Sequence, residues 1–344
     1  MVQLESIILY CLMQLNNERT IYSIYHLLKG KKSSQTIQDA HLFNLKKYFG
    51  IYDFLSRENF DQIIQMLQDQ KLIQSCGLQQ FRSTSEGELF LIKNPIPIDL
   101  NGWEFHQVTA RFWARLSLLI QVASNLEYKE TNYIPIQKDK DIHLWLKTVL
   151  KEMNVSKKDM GGKLYDELIA CFAENSELDP SVLVYRLTGF NQIGLTSLQA
   201  AQKLKMDIFD YHLHFINILH FMIRKLGQEP ELFPLLAHLH RALMQQNDLT
   251  QSSQKTWQLL TLGHSLETIA QIRQLKLSTI EDHLVEITLN FKDFSINEYV
   301  EPILQKEILH VSKLIASKQL KLIKDQVKQA SYFQIRLVLA KYGG

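Results

Sequence analysis

Apolar residues recur at three- and four-residue steps in Ile7, Ile8, Cys11, Leu12 and Leu15, which predicts an amphipathic helix at the start of the chain. A second helix is expected over Ile21 to Lys29, closed by Gly30 as a C-terminal cap, and a third over Thr36 to Tyr48, stopped near Gly50. Ser56-Arg-Glu-Asn59 offers an N-cap to a fourth helix that carries Phe60, Ile63, Ile64 and Leu67 inward. Lys71–Ser75 and Gln80–Thr84 then flank Cys76-Gly77, a hairpin signal. Helices followed by a small hairpin is the order of a winged helix.

Asn94-Pro-Ile-Pro-Ile-Asp99 breaks the pattern, because a residue before proline is pushed away from helical conformation. This sets a boundary, giving a first domain at 1–94. A long helix follows with Phe105, Val108, Phe112, Leu116, Leu119 and Ala123 on one stripe. After an irregular stretch from Tyr128 to Asp141, helices are expected from Ile142 to about Leu243. The polar run Asn247–Ser253 reads as a second linker, so that 95–253 is a helical middle domain and 254–344 a C-terminal domain, helical throughout. The predicted fold class is therefore mainly α and multi-domain.

Two stretches have the pattern of helix-turn-helix units. One is Thr196–Leu204 followed by Phe209–Leu226, within 196–226. The other is Ser265–Ala270, a turn through Leu275 and Leu277, and a helix opened by Ser278-Thr-Ile-Glu281. Ser278 and Glu281 have capping-box spacing, and Ala270 is small enough for two helices to cross closely.

Composition narrows the class. Gly and Pro make up roughly 4% and 2% of the chain, against about 7% and 5% in average proteins. Val occurs 12 times in 344 residues. A large sheet would draw on more Val and more turn residues, so all-β, collagenous and disordered classes are excluded. Cys11, Cys76 and Cys171 form no CxxC pair, which fits a reducing compartment. The N-terminus lacks the basic flank of a signal peptide. The longest uncharged apolar stretch, Tyr211 to Ile223, is too short for a membrane span and contains three histidines. A cytoplasmic, nucleoid-associated protein with no membrane contact is expected.

The formal net charge of +2 does not mark the whole chain as a nucleic-acid binder, but the charge is unevenly placed. Lys29, Lys31, Lys32, Lys46 and Lys47 bracket the third helix, Arg82 lies on the wing, and Ser33 and Ser34 add small hydroxyl donors. Cations beside a helix N-terminus suit phosphate, so these eight residues are the candidate DNA contacts. Residues 305–344 hold eight Lys and Arg against Glu307 and Asp325. The helix after Ser278 differs. Placing Ile280, Leu284 and Ile287 inward leaves Thr279, Asp282, His283 and Glu286 outside, an acidic surface unsuited to phosphate and a candidate for partner binding. Arg273 and Lys276 in the preceding turn offset it in part.

Chemistry is sparse. There is no GxxxxGK[ST] phosphate loop; Gly161-Gly162-Lys163-Leu164 lacks both the first glycine and the hydroxyl. His212 and His214, like His238 and His240, are two apart and fall on different helix faces with no nearby cysteine, so neither a metal site nor a cofactor is expected. No nucleophile or paired-carboxylate pattern stands out. The chain is expected not to be an enzyme.

Leu27-Leu-Lys-Gly-Lys-Lys-Ser33, Ala40-His41 through Leu45 and Tyr48-Phe-Gly-Ile51 resemble the winged helix that follows the motor of RecQ-family helicases. Leu72-Ile73 and Thr84-Ser-Glu-Gly87 stand where that domain's wing and following turn would sit. The sequence departs from the family at Lys29-Gly30-Lys31-Lys32, where Arg-Gly-Ser is usual. Near Cys76-Gly77-Leu78 the wing tip lacks an aromatic, so the resemblance does not carry strand separation over to this chain.

Thr256-Trp257, Gly263, Ser265–Ala270 and Leu277–Leu284, with Tyr332 through Ile335–Ala340, resemble the helicase-associated helix-turn-helix domain of some bacterial RecQ-type helicases. Both modules in one chain without a motor resemble the YpbB family of bacterial proteins. The resemblance implies a non-catalytic, DNA-binding accessory subunit of a separately encoded RecQ-type helicase, acting in DNA repair or recombination on duplex or branched DNA with little sequence preference. A helix-turn-helix transcription regulator and a protein scaffold are the alternatives.

Overall fold

In a computed structural model, which describes all residues except 154, 157, 174, 242, 244–248, 316 and 344, the N-terminal stripes fold as four helices. These are α1 (Val2–Leu15), α2 (Tyr22–Leu28), α3 (Ser34–Leu42) and α4 (Arg57–Asp69). Gly30 follows α2 with φ +68°. A Cβ there would lie 2.9 Å from the Cα of Gly50, itself at φ +70°, so the two glycines let the chain ends around α2 and α3 pass at backbone distance. The third helix is shorter than expected. Asn44 turns into the left-handed region (φ +55°) and the Leu45 N–H returns to the Ala40 carbonyl, so Lys46–Tyr48 form a separate 3-10 turn. Ser56 caps α4 by accepting the Asn59 N–H at 3.0 Å, and Phe60, Ile63, Ile64 and Leu67 are buried as the spacing required.

Strands β1 (Ile73–Gly77) and β2 (Gln80–Ser83) pair antiparallel, with Gln74 opposite Arg82. Their turn lies at Leu78-Gln79, two residues beyond the expected Cys76-Gly77, because Gln79 rather than Gly77 adopts the left-handed conformation (φ +58°). The hairpin tip is tied back to the α1–α2 loop. The Gln79 carbonyl accepts the Ile21 N–H, and Gln80 Nε2 donates to the Asn17 carbonyl.

Helix α5 (Ser85–Lys93) leads into the proline segment, which is irregular as expected and is followed by α6 (Gly102–Phe105), α7 (Thr109–Glu127), α8 (Lys140–Glu152) and α9 (Met160–Ala173). Then come α10 (Ser181–Val184), α11 (Ser197–Lys203), α12 (Ile208–Gln228) and α13 (Ala237–His240). Of the polar run read as a linker at 247–253, residues 247 and 248 lie outside the described residues. Thr250 already caps α14 (Gln251–Thr261) by accepting the Ser253 N–H. The remaining helices are α15 (Leu266–Arg273), α16 (Leu277–Asn290), α17 (Pro302–Leu314), α18 (Leu320–Gln326) and α19 (Tyr332–Tyr342). The C-terminal region is not helical throughout: 291–301 is irregular, held by Phe291 stacked on Trp257 at 4.9 Å between ring centres. The chain is thus mainly helical, with one small hairpin among the described residues.

Cα packing groups the chain into two compact units. The first comprises Met1–Ser6 and Asn94–Gln246, the second Ile7–Lys93 and Asn247–Gly344. In the first unit α12 is the central helix, packed against α7, α10, α11 and α13, with Tyr211, Leu219 and Met222 in a core shared with Phe112 and Leu116. The proline segment is pinned here. The Asp99 N–H donates to Asn217 Oδ1 while its carboxylate pairs with Arg224. Helices α11 and α12 pack on each other across a turn with Lys205 at φ +55°, and α12 lies in the core rather than presenting a free face.

Candidate nucleic-acid interface

The second unit holds every candidate residue named from the sequence. Its organising element is α16, which packs against α14, α15, α19 and α3. Helices α14, α15 and α16 form the trihelical core of a helix-turn-helix, with Gln274 (φ +53°) closing α15 in the left-handed conformation. Helix α16 starts at Leu277 with Lys276 at the N-cap position and no side-chain cap. The capping box expected of Ser278 and Glu281 therefore does not form, both residues lying inside the first turns. Capping boxes occur instead at Thr196/Gln199 and Ser331/Gln334, where the same spacing uses glutamine.

Ile280, Leu284 and Ile287 are fully buried, as the spacing required. The expected outward face is corrected. His283 and Glu286 are buried, Asp282 is bonded on its exposed side, and Thr279 is half-buried. A helix with one apolar stripe leaves its polar face to solvent only if packed on one side, and α16 is packed on several. His283 Nδ1 accepts from Arg273 Nη1 at 3.3 Å and lies 2.9 Å from Thr256 Oγ1. Burial, reinforced by Arg273, holds its imidazole down to a pKa of about 4. Glu286 takes the Thr250 N–H, the Thr250 hydroxyl (3.0 Å) and the Ser253 hydroxyl (2.6 Å), so its carboxylate sits at the N-terminus of α14 where the helix dipole favours an anion. Arg273 is also engaged internally, donating to Ser252. His283, Glu286 and Arg273 thus hold the helix-turn-helix together from inside, which leaves Thr279 and Asp282 as the part-exposed members of the expected face.

On the N-terminal side, α3 is buried from Thr36 to Leu42. Ser33 caps it by accepting the Thr36 N–H, while Ser34 donates to Asp282 Oδ1 at 3.1 Å and accepts from Arg336 Nη2. Lys29 Nζ donates to the Asp53 carbonyl. Lys47 lies over the Tyr10 and Tyr48 rings, at 5.2 and 4.9 Å from their centres, with burial lowering its pKa. Lys46 is half-buried. Lys31, Lys32 and Arg82 are exposed. Burial lowers the Lys32 pKa, opposed by the Glu286 carboxylate. Of the eight candidate contacts, only Lys31, Ser33 and Ser34 line one common cleft.

The C-terminal basic run is partly spent inside the fold. Lys318 donates to the Leu42 carbonyl, Lys324 to the carbonyls of Lys328 and Ala330, and Lys341 to those of Lys292 and Phe294. Arg336 pairs with Asp282. Lys306, Lys313, Lys321 and Lys328 remain exposed.

The cleft occupies about 840 Å³ at the start of α3, bounded by α2 and by residues of α16, α18 and α19. Arg19, Tyr22 and Gln35 belong to its lining and were not singled out from the sequence, and Lys321 was counted only in the C-terminal basic run, because no local pattern links positions brought together from across the chain. Among the described residues no group of three or more His, Cys, Asp or Glu is placed to hold a metal ion. Nor is any of their helices long and apolar enough to cross a membrane.

A trihelical core extended by three further helices is the arrangement of a helix-turn-helix domain, and a helix-turn-helix domain family matches residues 252–339, from α14 into α19. Across its whole length the chain is similar to Protein YpbB of Bacillus subtilis (strain 168), with 36% identity over 342 residues, covering 97% of this chain and 96% of that relative. The chain belongs to the YpbB family. No solved structure matches it.

Proposed function

We propose that this chain is a DNA-binding, non-catalytic accessory subunit of a RecQ-type DNA helicase, acting in DNA repair or recombination in the bacterial cytoplasm, at the nucleoid. In this reading residues 1–94 are a winged helix of the kind that follows a RecQ motor, and 254–344 the helix-turn-helix domain associated with such motors. The observation that carries the reading is the packing of α3 on α16 and α19: two stretches that resemble extensions of one motor form a single body, in a sequence without a phosphate loop. Duplex or branched DNA would meet the exposed Lys31, Lys32 and Arg82, contacts that position a backbone without reading bases. A transcription regulator needs a recognition helix free to enter a groove, and the packing of α16 on three sides counts against it.

The test is retention of a purified RecQ-type helicase from the same organism on the immobilised full chain, together with assays of ATP turnover and strand separation by the chain alone. Retention at micromolar concentration without either activity is expected. Failure to retain the helicase, or ATP turnover that co-purifies with the chain, would overturn the proposal.

A further inference from the structure

The arrangement of α16 closes the usual route by which a helix-turn-helix reads nucleic acid. Its N-terminal half, the part that would enter a major groove, is held by α3 and by Arg336 of α19. The concave surface beside that seal is the cleft at the start of α3. We propose that this cleft binds a single polynucleotide strand, with the phosphodiester backbone held between Lys31 and Lys321; the proposal rests on the DNA-binding reading above.

Three observations carry it. Charge comes first. The cleft contains three carboxylates, of which two are neutralised by arginine, Asp39 by Arg19 at 2.8 Å and Asp282 by Arg336 at 2.6 Å, while Glu18 accepts the Lys318 backbone N–H at 2.9 Å. Among the described residues the side-chain ammonium groups of Lys31 and Lys321 make no hydrogen bond or ion pair, so two cations stand against the one unneutralised carboxylate of Glu18 and the charge left facing the cleft is positive. The two lysines come from different elements, the α2–α3 loop and α18, and can take phosphates from two sides.

Size is the second. A volume of about 840 Å³ falls within the roughly 300–1,000 Å³ of sites that enclose ligands of drug size. It suits a few nucleotides of one strand, whereas a duplex needs a broad surface or a projecting element.

The third is the character of the wall. Ser23, Gln35 and Gln80 carry uncharged hydrogen-bonding groups, and the Tyr22 ring belongs to the wall, one of its faces covered by the Arg57 guanidinium 3.2 Å from its centre. Cations along a groove with an aromatic platform are the features that bind single strands with little sequence preference. A backbone between lysines and a base on Tyr22 would fit DNA or RNA alike, so the sugar is left to experiment.

The test uses the full chain and fluorescence anisotropy with labelled 15-nucleotide oligothymidine, 15-nucleotide oligouridine and a 15-base-pair duplex. Wild type is expected to bind at least one single strand more tightly than the duplex. Lys31→Ala/Lys321→Ala should weaken that binding at least tenfold and lower the slope of log K against log salt by about 1.4, since each neutralised phosphate of a single strand contributes roughly 0.7. Lys140→Ala/Lys147→Ala, exposed lysines on α8 of the other unit, should stay within twofold of wild type. Thermal melting of the cleft variant should match wild type, because neither side-chain amine has a bonded partner among the described residues. Tighter binding to oligothymidine would identify DNA as the strand, and to oligouridine RNA. Unchanged affinity and salt slope in the cleft variant, or preference for the duplex, overturns the cleft while leaving DNA binding in place. Absence of binding to all three probes overturns both.

Discussion

Arg336, on the last helix, donates from Nη1 to Asp282 Oδ1 at 2.6 Å, and the same guanidinium reaches the hydroxyl of Ser34 at the start of α3 and the amide oxygen of Gln38 one turn further on. One side chain therefore joins the N-terminal helices to the helix-turn-helix through three partners. Arginine suits the position because its planar fork can satisfy several acceptors at once, which a lysine cannot. The pair is partly exposed, so its strength lies in the network rather than in the ion pair alone.

Replacing either partner should therefore cost modestly, and replacing both should cost less than the sum. Arg336→Ala and Asp282→Ala are each expected to lower the stability of the second unit by about 1 kcal/mol, with the double variant falling short of the sum of the two. Urea unfolding of the three variants measures it. Strict additivity would show that Arg336 and Asp282 do not act together.

Glu286 should matter more. Its carboxylate accepts three bonds at the head of α14 and is buried. Glu286→Ala removes the acceptor and leaves buried donors unsatisfied, an expected loss of about 2–4 kcal/mol. Glu286→Gln keeps one acceptor oxygen without the charge and should fall between wild type and Ala. Equal stability of all three by chemical denaturation would refute the capping role.

Acid should destabilise the first unit through His220. This residue is buried, its Nδ1 accepts the Asn101 N–H at 3.0 Å, and Nε2 lies 3.1 Å from the Thr109 hydroxyl, so the fold requires the neutral ring. Burial, with the neighbouring His106, His212 and Arg224 charges adding to it, lowers its pKa to about 3. The unfolded chain takes a proton near pH 6.5 and the folded chain does not until about 3. The contribution is thus complete above 6.5 and is lost as the pH falls, at up to about 1.4 kcal/mol per pH unit. His220→Gln should show a shallower fall in stability from pH 6.5 to 4 than wild type. Parallel pH profiles would contradict the assignment.

Gly30 sits at φ +68°, with the space for a Cβ taken by the Cα of Gly50. Gly30→Ala adds both left-handed strain and a backbone clash, and is expected to cost about 1–3 kcal/mol. Gly263, also at positive φ but with open space around it, separates the two terms: its Ala variant should lose about 1 kcal/mol from conformation alone. Equal losses would show that the approach to Gly50 is not tight.

Much of the fold was legible because it is written locally. The α4 stripe Phe60, Ile63, Ile64 and Leu67, the Ser56 cap and the Gly30 stop each depend on residues within a turn or two, and all three are found as read. The faces of α16 were not legible. Periodicity identifies the first buried stripe of a helix, but His283 and Glu286 become interior only when α14 packs on a second side. The cationic cluster shows the same limit. Lys29 and Lys47 look like surface charge in sequence, yet one meets a carbonyl of a distant loop and the other two tyrosine rings. Arg19, Gln35 and Lys321 share a cleft although no spacing in the chain connects them.

The packing of α3 on α16 makes a final expectation about dissection. Cutting the chain after 93 and before 247, at the boundaries of the second unit, separates α3 from α16 and α19. That exposes the apolar side chains of α3, among them Ile37 and Ala40, and breaks the Ser34–Asp282–Arg336 network. Neither 1–93 nor 247–344 alone should then unfold as cooperatively as the same region in the full chain, since helices of this length draw most of their stability from packing. Residues 7–93 joined to 247–344 by a flexible glycine-serine linker reunite the second unit and should restore a single sharp transition. Amide hydrogen exchange of the α16 amides measures this directly, with strong protection expected in the fusion and weak protection in 247–344 alone. Full protection of α16 in the isolated C-terminal piece would show that α3 is dispensable to the helix-turn-helix, and that the two modules are independent domains.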